Sequence, residues 1–205
     1  MEEKWSNNCV LLCGTLGGKP VYSHSSRDEK YFMFPLNVDR LSGAVDIINI
    51  VAREEIMCSV DIEDREKVIV KGEVRSFNNK SGIGNRLVIT VFAREIELGY
   101  GDDNNDVTVT GVICKPSVYR KTPMGREICD IMLAVNRRYG RSDYLPCIVW
   151  GQNAIKACKW AVGSRVLLTG RIQSRNYIKM IGEESLEKTV YEVSAISIEQ
   201  VEPDE

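Results

Sequence analysis

The sequence predicts an all-β protein made of two tandem five-stranded Greek-key barrels, each with at most one short helix. Three observations support this prediction. The chain repeats itself, each copy alternates apolar and polar residues as β-strands do, and a stretch rich in Gly, Asp and Asn separates the copies. The length of 205 residues and the hydrophobic content of 43% suffice for two packed cores.

The internal repeat has a nearly constant offset. The matched blocks, in order, are residues 36–40 with 133–137, 46–51 with 143–148, and 68–74 with 166–172. Several ordered matches indicate a duplicated domain rather than chance similarity. We therefore predict a first domain over residues 1–99, a linker over 100–106 and a second domain over 107–205.

The order of elements in the second copy favours a barrel of the OB type. Three strands come first, then a helix over Asn153–Trp160, and then two further strands. Short strands in so small a unit could also form a sandwich. A helix between the third and fourth strands favours the OB barrel, so two tandem OB-fold barrels are expected.

Cysteine and histidine usage argues against a chemical site. The seven cysteines include no Cys-x-x-Cys pair, and His24 is the only histidine. We therefore predict no metal, no cofactor and no catalytic residues, and expect a protein that is not an enzyme. No apolar stretch approaches the ~18 residues of a membrane helix and no secretory signal is visible, so no membrane association and a cytoplasmic location are expected.

The charge is unevenly distributed along the chain. The whole sequence carries a formal net charge of -2, which disfavours a polyanionic partner at first sight. Residues 107–181, however, hold thirteen basic residues against three acidic ones, whereas residues 9–86 hold eleven of each. The second copy is thus strongly cationic, as expected for a barrel that attracts a polyanion.

Aromatic residues are interleaved with these cations. Tyr144 and Trp150 share one face of a predicted strand, and Tyr139 lies in a basic loop. Single-stranded nucleic acid requires aromatic faces for its bases and cations for its phosphates on one surface. The predicted nucleic-acid-binding residues are Tyr139, Tyr144, Trp150, Tyr177, Lys121, Arg126, Arg137, Arg138, Arg171 and Arg175.

The second copy resembles the bacterial single-stranded DNA-binding proteins over about 90 residues. The matching segments are Val107–Gly111, Leu133–Arg138, Cys147–Gly151, Lys159–Tyr177 and Tyr191–Val193. The resemblance implies an OB barrel that binds single-stranded DNA by stacking bases on aromatic residues. It places the stacking positions at Tyr139, Tyr144, Trp150 and Tyr177.

The first copy resembles the family more weakly. The equivalents of the four stacking residues are Ser42, Ile47, Arg53 and Asn79. Glu73 stands at the position of Arg171, so one charge is reversed. We therefore expect the second domain to be the main DNA-binding barrel and the first to be a scaffold or oligomerisation module. Some contact retained through Phe77, Arg53 and Arg75 remains open.

The resemblance also implies partners and a cellular role. Family members act in DNA replication, recombination and repair in the bacterial cytoplasm, associated with the nucleoid, and usually with four barrels, so a homodimer is expected. The end at Glu205 lacks the acidic tail with an apolar tip that recruits replication and repair proteins. An alternative is an OB-fold protein-interaction module, such as a primosomal accessory protein, with incidental nucleic-acid contact. The choice between DNA and RNA stays open.

Overall fold

The fold is described from a computed structural model that covers residues 7–60, 65–80, 85–137, 140–181 and 184–202, without the side chains of 176–188. The first repeat contains β1 (Asn8–Leu16), β2 (Val21–Ser26), β3 (Glu29–Asp39), β4 (Val45–Arg53), α1 (Glu54–Ser59), β5 (Lys67–Asn78) and β6 (Leu87–Leu98). The second contains β7 (Asn104–Ile113), β8 (Val118–Lys121), β9 (Glu127–Asn136), β10 (Ser142–Trp150), α2 (Gly151–Ala157), β11 (Arg165–Ile181) and β12 (Glu184–Gln200).

Strand pairing closes each repeat into a barrel. In the first repeat the pairings run β1–β3, β3–β4, β4–β6, β6–β5 and β5–β1. The second repeat closes in the same way through β7, β9, β10, β12 and β11. A closed ring of five strands is the OB barrel rather than an open sandwich, which confirms the predicted fold class. Alternate residues of each strand fill the barrel interior.

Two details differ from the prediction. Each repeat carries an additional short strand, β2 or β8, which pairs with the following strand as a hairpin. Every residue of these two strands is exposed, so they lack the apolar alternation by which a half-buried strand is recognised. The helix of the second repeat begins at Gly151 and ends at Ala157, earlier than the predicted range.

The linker is shorter than predicted. β7 begins at Asn104, so only residues 99–103 separate it from β6. Asn and Asp are disfavoured in strands, which is why composition alone assigned residues 104–106 to the linker. These residues nevertheless pair through their backbone with β1 of the first repeat, and this pairing offsets the low strand propensity of Asn and Asp.

The two repeats are joined by antiparallel pairing of β1 with β7. The register places Val10 opposite Val107, which is its own equivalent in the sequence repeat. The pairs on either side of this point follow the same rule: where a residue of β1 pairs with a residue of β7, the repeat equivalents of these two residues also pair with each other. The barrels are therefore related by a pseudo-twofold axis at the centre of the ladder. The pairing merges the two barrels into one 12-stranded sheet.

Two buried carboxylates reinforce this junction. Asp46 accepts the backbone N–H of Ser174 at 2.8 Å and is held by the guanidinium of Arg40. In the other repeat Asp143 accepts the backbone N–H of Ser76 and is held by Arg137. Each carboxylate is fully buried in one repeat and bonded to the backbone of the other, and a buried carboxylate needs such partners to offset its lost hydration. The relative position of the barrels is therefore fixed by directional contacts.

No helix within the described residues is long and apolar enough to cross a membrane.

Barrel closure leaves no room for a side chain at Gly170. A Cβ there would overlap the carbonyl oxygen of Ser194 on β12, whereas a Cβ at Gly18 would meet the Pro35 ring at an ordinary 3.8 Å. We predict that Gly170→Ala lowers the free energy of unfolding by about 1–3 kcal/mol because of overpacking. Thermal or urea unfolding measures the change, with Gly18→Ala as the matched control. Equal stabilities of the two variants would contradict this explanation.

Candidate nucleic-acid interface

The outward face of β10 carries two of the predicted stacking residues. Leu145, Cys147 and Val149 point into the barrel and are buried. Tyr144 and Trp150 lie on the opposite face, where Tyr144 is 49% exposed and Trp150 is partly exposed. The period of two along a strand thus places both rings on the predicted surface.

Trp150 is held by the neighbouring strand. Its indole N–H donates to Oγ of Ser194 at 3.0 Å, where β10 runs parallel to β12. The hydrogen bond fixes the orientation of the ring and satisfies its single donor. The indole therefore offers only its π face to a ligand.

An open groove of about 580 Å³ lies beside Trp150. Three arginines line it together with the indole, and we call it the Trp150 groove; its lining includes Arg40, Arg126, Trp150, Arg171, Gln173 and Ser194. Two of these cations, Arg126 and Arg171, were predicted to bind nucleic acid. Guanidinium groups beside an aromatic ring provide both contacts that a single strand requires, a phosphate partner and a stacking platform.

Arg40 reaches this groove from the first repeat. Its Nε donates to Asp46 at 2.6 Å, and its Nη2 donates to the carbonyl oxygen of Ser174 at 3.3 Å. The hydrogen bond to Asp46 raises the pKa of Arg40 above its usual value, so the group stays cationic. The sequence prediction missed this residue, although its alignment with Arg137 in the repeat was a usable signal.

The remaining predicted cations differ in their partners. Lys121 lies 3.0 Å from Glu127 and Arg175 lies 3.7 Å from Glu192, and both side chains are more than half exposed. Their carboxylate partners are mostly buried, but the cations themselves are exposed, so a phosphate can reach them. Gln173, between Arg171 and Arg175, is buried and donates to Glu192 at 2.7 Å, so this strand face is not uniformly open.

Arg137 lies at the junction between the repeats. Its guanidinium forms two hydrogen bonds with Asp143, one of them 2.6 Å from Nε, and donates to the carbonyl oxygen of Ser76 at 3.0 Å. These contacts hold it at the junction in the way that Arg40 is held by Asp46 and Ser174, and its contact with nucleic acid stays a prediction. The physical reason is the buried Asp143, whose charge requires a cationic partner.

Three predicted residues cannot be placed in full. Arg138 and Tyr139 lie outside the described residues. Tyr177 belongs to β11, where its backbone pairs with Lys188, but its side chain lies outside the described part. β11 does continue to Ile181, the length that the predicted position of Tyr177 requires.

Among the described residues no group of His, Cys, Asp and Glu is arranged to hold a metal ion. All seven cysteines are free thiols. Burial raises the pKa of Cys129 to about 11, so this thiol stays protonated at neutral pH.

The second repeat matches a known protein family. Residues 104–201 match the model of the "Single-strand binding protein family", and the match begins where β7 begins. "Single-stranded DNA-binding protein 3" of Streptococcus agalactiae is 34% identical, over 38% of this chain and 62% of its own length. A "Single-stranded DNA-binding protein" of Streptococcus pyogenes is also 34% identical, over 38% of this chain and 53% of its own length. The chain thus spans between about half and three fifths of the length of these curated relatives.

The whole chain resembles a solved structure in its fold. The crystal structure of the wild-type single-stranded DNA binding protein from Thermus aquaticus superposes with a TM-score of 0.78, at 20% identity. The superposition covers 97% of this chain and 94% of that one. Both repeats, in their relative arrangement, therefore correspond to a known fold.

Proposed function

Because residues 104–201 match the model of the single-strand binding protein family, we propose that this chain binds single-stranded DNA without regard to base sequence. The observation that carries the proposal is the Trp150 groove, in which a π face and the guanidinium groups of Arg40, Arg126 and Arg171 share one surface. The function is binding, with no chemical step, in DNA replication, recombination or repair. Its place is the bacterial cytoplasm, on DNA of the nucleoid.

The geometry explains why the binding is indifferent to sequence. Every base has a π face, so stacking on Trp150 accepts any base. The indole N–H is already used by Ser194, so it does not read base edges. The arginines contact phosphates, which are the same at every nucleotide and carry no sequence information. Tyr144, on the same face of β10, supplies a second stacking platform.

The stacking contact is tested by Trp150→Ala. Base–aromatic stacking contributes about 1–3 kcal/mol per base, so we predict a loss of affinity for oligo-dT of that size. Fluorescence anisotropy with a labelled oligonucleotide measures the affinity, and circular dichroism checks that the barrel remains folded. Tyr100→Ala is the matched control, because Tyr100 is an aromatic residue that is 86% exposed but lies on the linker. Unchanged affinity in Trp150→Ala would refute the proposed platform.

The phosphate contacts are tested by salt dependence. For single strands each neutralised phosphate adds about 0.7 to the slope of log affinity against log salt. We predict that Arg171→Ala makes this slope shallower by about that amount. Trp150→Ala should lower the affinity but leave the slope unchanged, because it removes no cation. A slope unaffected by Arg171→Ala would show that this guanidinium does not contact the backbone.

We further propose that two chains associate, which gives an assembly of four barrels. Leu11 supports this proposal: it is 41% exposed on β1, beside the pseudo-twofold axis at the centre of the β1–β7 ladder. When the same face of two identical chains meets in an isologous contact, an exposed apolar residue on that face is buried against the partner copy. The surface around the β1–β7 ladder therefore provides the proposed interface.

Light scattering tests the association. We predict a solution mass of twice 23.1 kDa for the wild-type chain. Leu11→Glu places like charges at the proposed interface and should shift the mass to that of one chain at micromolar concentration. A wild-type mass of 23.1 kDa at all concentrations would contradict the proposed homodimer.

A further inference from the structure

We propose that the first repeat carries a second contact surface for single-stranded nucleic acid, built differently from the Trp150 groove. It is centred on Phe92 and three surrounding arginines, Arg53, Arg75 and Arg94, which we call the Phe92 cluster. The proposal rests on the proposed function, because it concerns the same class of ligand. It departs from the expectation that the first repeat is mainly a scaffold.

The strand register reveals a correspondence that the sequence repeat conceals. Gly72 pairs with Ala93 on β6, and Gly170 pairs with Ala195 on β12, each next to a register shift. Phe92 therefore occupies the position of Ser194, which is the partner of the Trp150 indole. The first repeat has Arg53 at the position of Trp150, and its aromatic residue stands instead on the neighbouring parallel strand.

Each repeat thus has one aromatic ring at the same junction of two parallel strands. β4 pairs with β6 at Val51–Phe92, and β10 pairs with β12 at Ile148–Ser194. Arg53 lies two residues beyond the first of these pairs, and Trp150 lies two residues beyond the second. The aromatic residue lost from β4 is therefore replaced on β6, so the first repeat retains a stacking platform.

Three cations surround this ring. The guanidinium carbon of Arg94 lies 5.1 Å from the centroid of Phe92, and those of Arg53 and Arg75 lie 6.0 Å from it. The Phe92 ring is partly exposed beside an open groove lined by Arg53, Arg94 and Glu55, and Nε of Arg53 lies 3.3 Å from Glu29. A partly exposed ring among cations provides the pair of contacts that a nucleotide requires.

Further rings extend the surface along the β2–β3 hairpin. The Tyr31 ring lies 6.1 Å from that of Phe92. His24 stacks on Tyr31 with a centroid distance of 4.8 Å and an interplanar angle of 6°. Both residues lie on the exposed hairpin, so the row of rings runs from the barrel wall outwards.

Glu73 distinguishes this surface from the Trp150 groove. It forms an ion pair with Arg75 and accepts a hydrogen bond from Nη2 of Arg94 at 3.0 Å. Arg171 stands at the equivalent position of the second repeat. The first repeat therefore carries an internal counter-ion, which an incoming phosphate must displace from Arg94. The Phe92 cluster consequently binds more weakly than the Trp150 groove and is occupied after it.

The Phe92 cluster borders the second repeat. Nη1 of Arg75 lies 3.1 Å from Oδ2 of Asp143, the carboxylate that also holds Arg137. Arg75 thus bridges the Phe92 ring and the junction of the repeats. The amide of Tyr144 donates to Oγ of Ser76 at 2.7 Å, which places the start of the β10 face next to β5. A single strand leaving β10 therefore meets the Phe92 cluster on the adjoining barrel.

A length series of oligo-dT with the full chain tests this proposal. One OB barrel covers about 4–16 nucleotides, so an oligonucleotide of about 8 fits the Trp150 groove and one of about 30 reaches both surfaces. We expect Phe92→Leu, which keeps the apolar volume, to weaken binding of the long oligonucleotide by about 5- to 100-fold and to leave the short one unchanged. Trp150→Ala should weaken both, and Tyr100→Ala should change neither.

Glu73→Gln tests the same surface with the opposite expected effect on affinity, and this test does not depend on how Phe92 packs. Removing the counter-ion frees Arg94, whereas Arg75 keeps its ion pair with Asp143, so the affinity for the long oligonucleotide should rise several-fold while that for the short one stays constant. If Phe92→Leu and Glu73→Gln both bind the long oligonucleotide as the wild type does, the second surface is refuted and the proposed function stands. If the wild type binds neither length, the proposed function itself fails.

Discussion

Antiparallel pairing of β1 with β7 is the contact on which the rest of the molecule depends. It joins two barrels edge to edge with Val10 opposite Val107, and Asp46 and Asp143 then bond across the junction to the backbone of the opposite repeat. A strand ladder alone allows register slips, but a buried carboxylate accepts only one arrangement of donors. The repeats consequently form one continuous surface rather than two domains joined by a tether alone.

That junction determines which side chains face a ligand. It carries Arg40 of the first repeat into the Trp150 groove of the second and places the carbonyl oxygen of Ser76 against Arg137. Two arginines at equivalent positions in the sequence repeat each hold an aspartate, and Arg40 also reaches the groove. The pseudo-twofold axis makes the scaffold symmetric, whereas the residues on its surface differ, as Glu73 and Arg171 show most plainly.

Much of the fold could be predicted from the sequence because it depends on local periodicity. The duplicated blocks, the alternation along β10 and the helix between strands identified the barrels and the outward position of Tyr144 and Trp150. The partner of Arg137 could not be predicted, because Ser76 lies in the other repeat and no local pattern links the two. The role of Phe92 was also hidden, because it depends on strand register around a bulge rather than on a constant sequence offset. The exposed strands β2 and β8 lack any apolar pattern.

We propose that stacking platforms and cations together select single strands. An equilibrium titration of the full chain with a single-stranded oligonucleotide and with its duplex, at equal length and salt, separates this selection from attraction by charge alone. Duplex DNA has the higher charge density but hides its base faces, so purely electrostatic binding would favour the duplex. We expect the single strand to bind at least about tenfold more tightly, the factor expected from stacking a base or two. Equal or tighter binding of the duplex would show that stacking does not select the ligand.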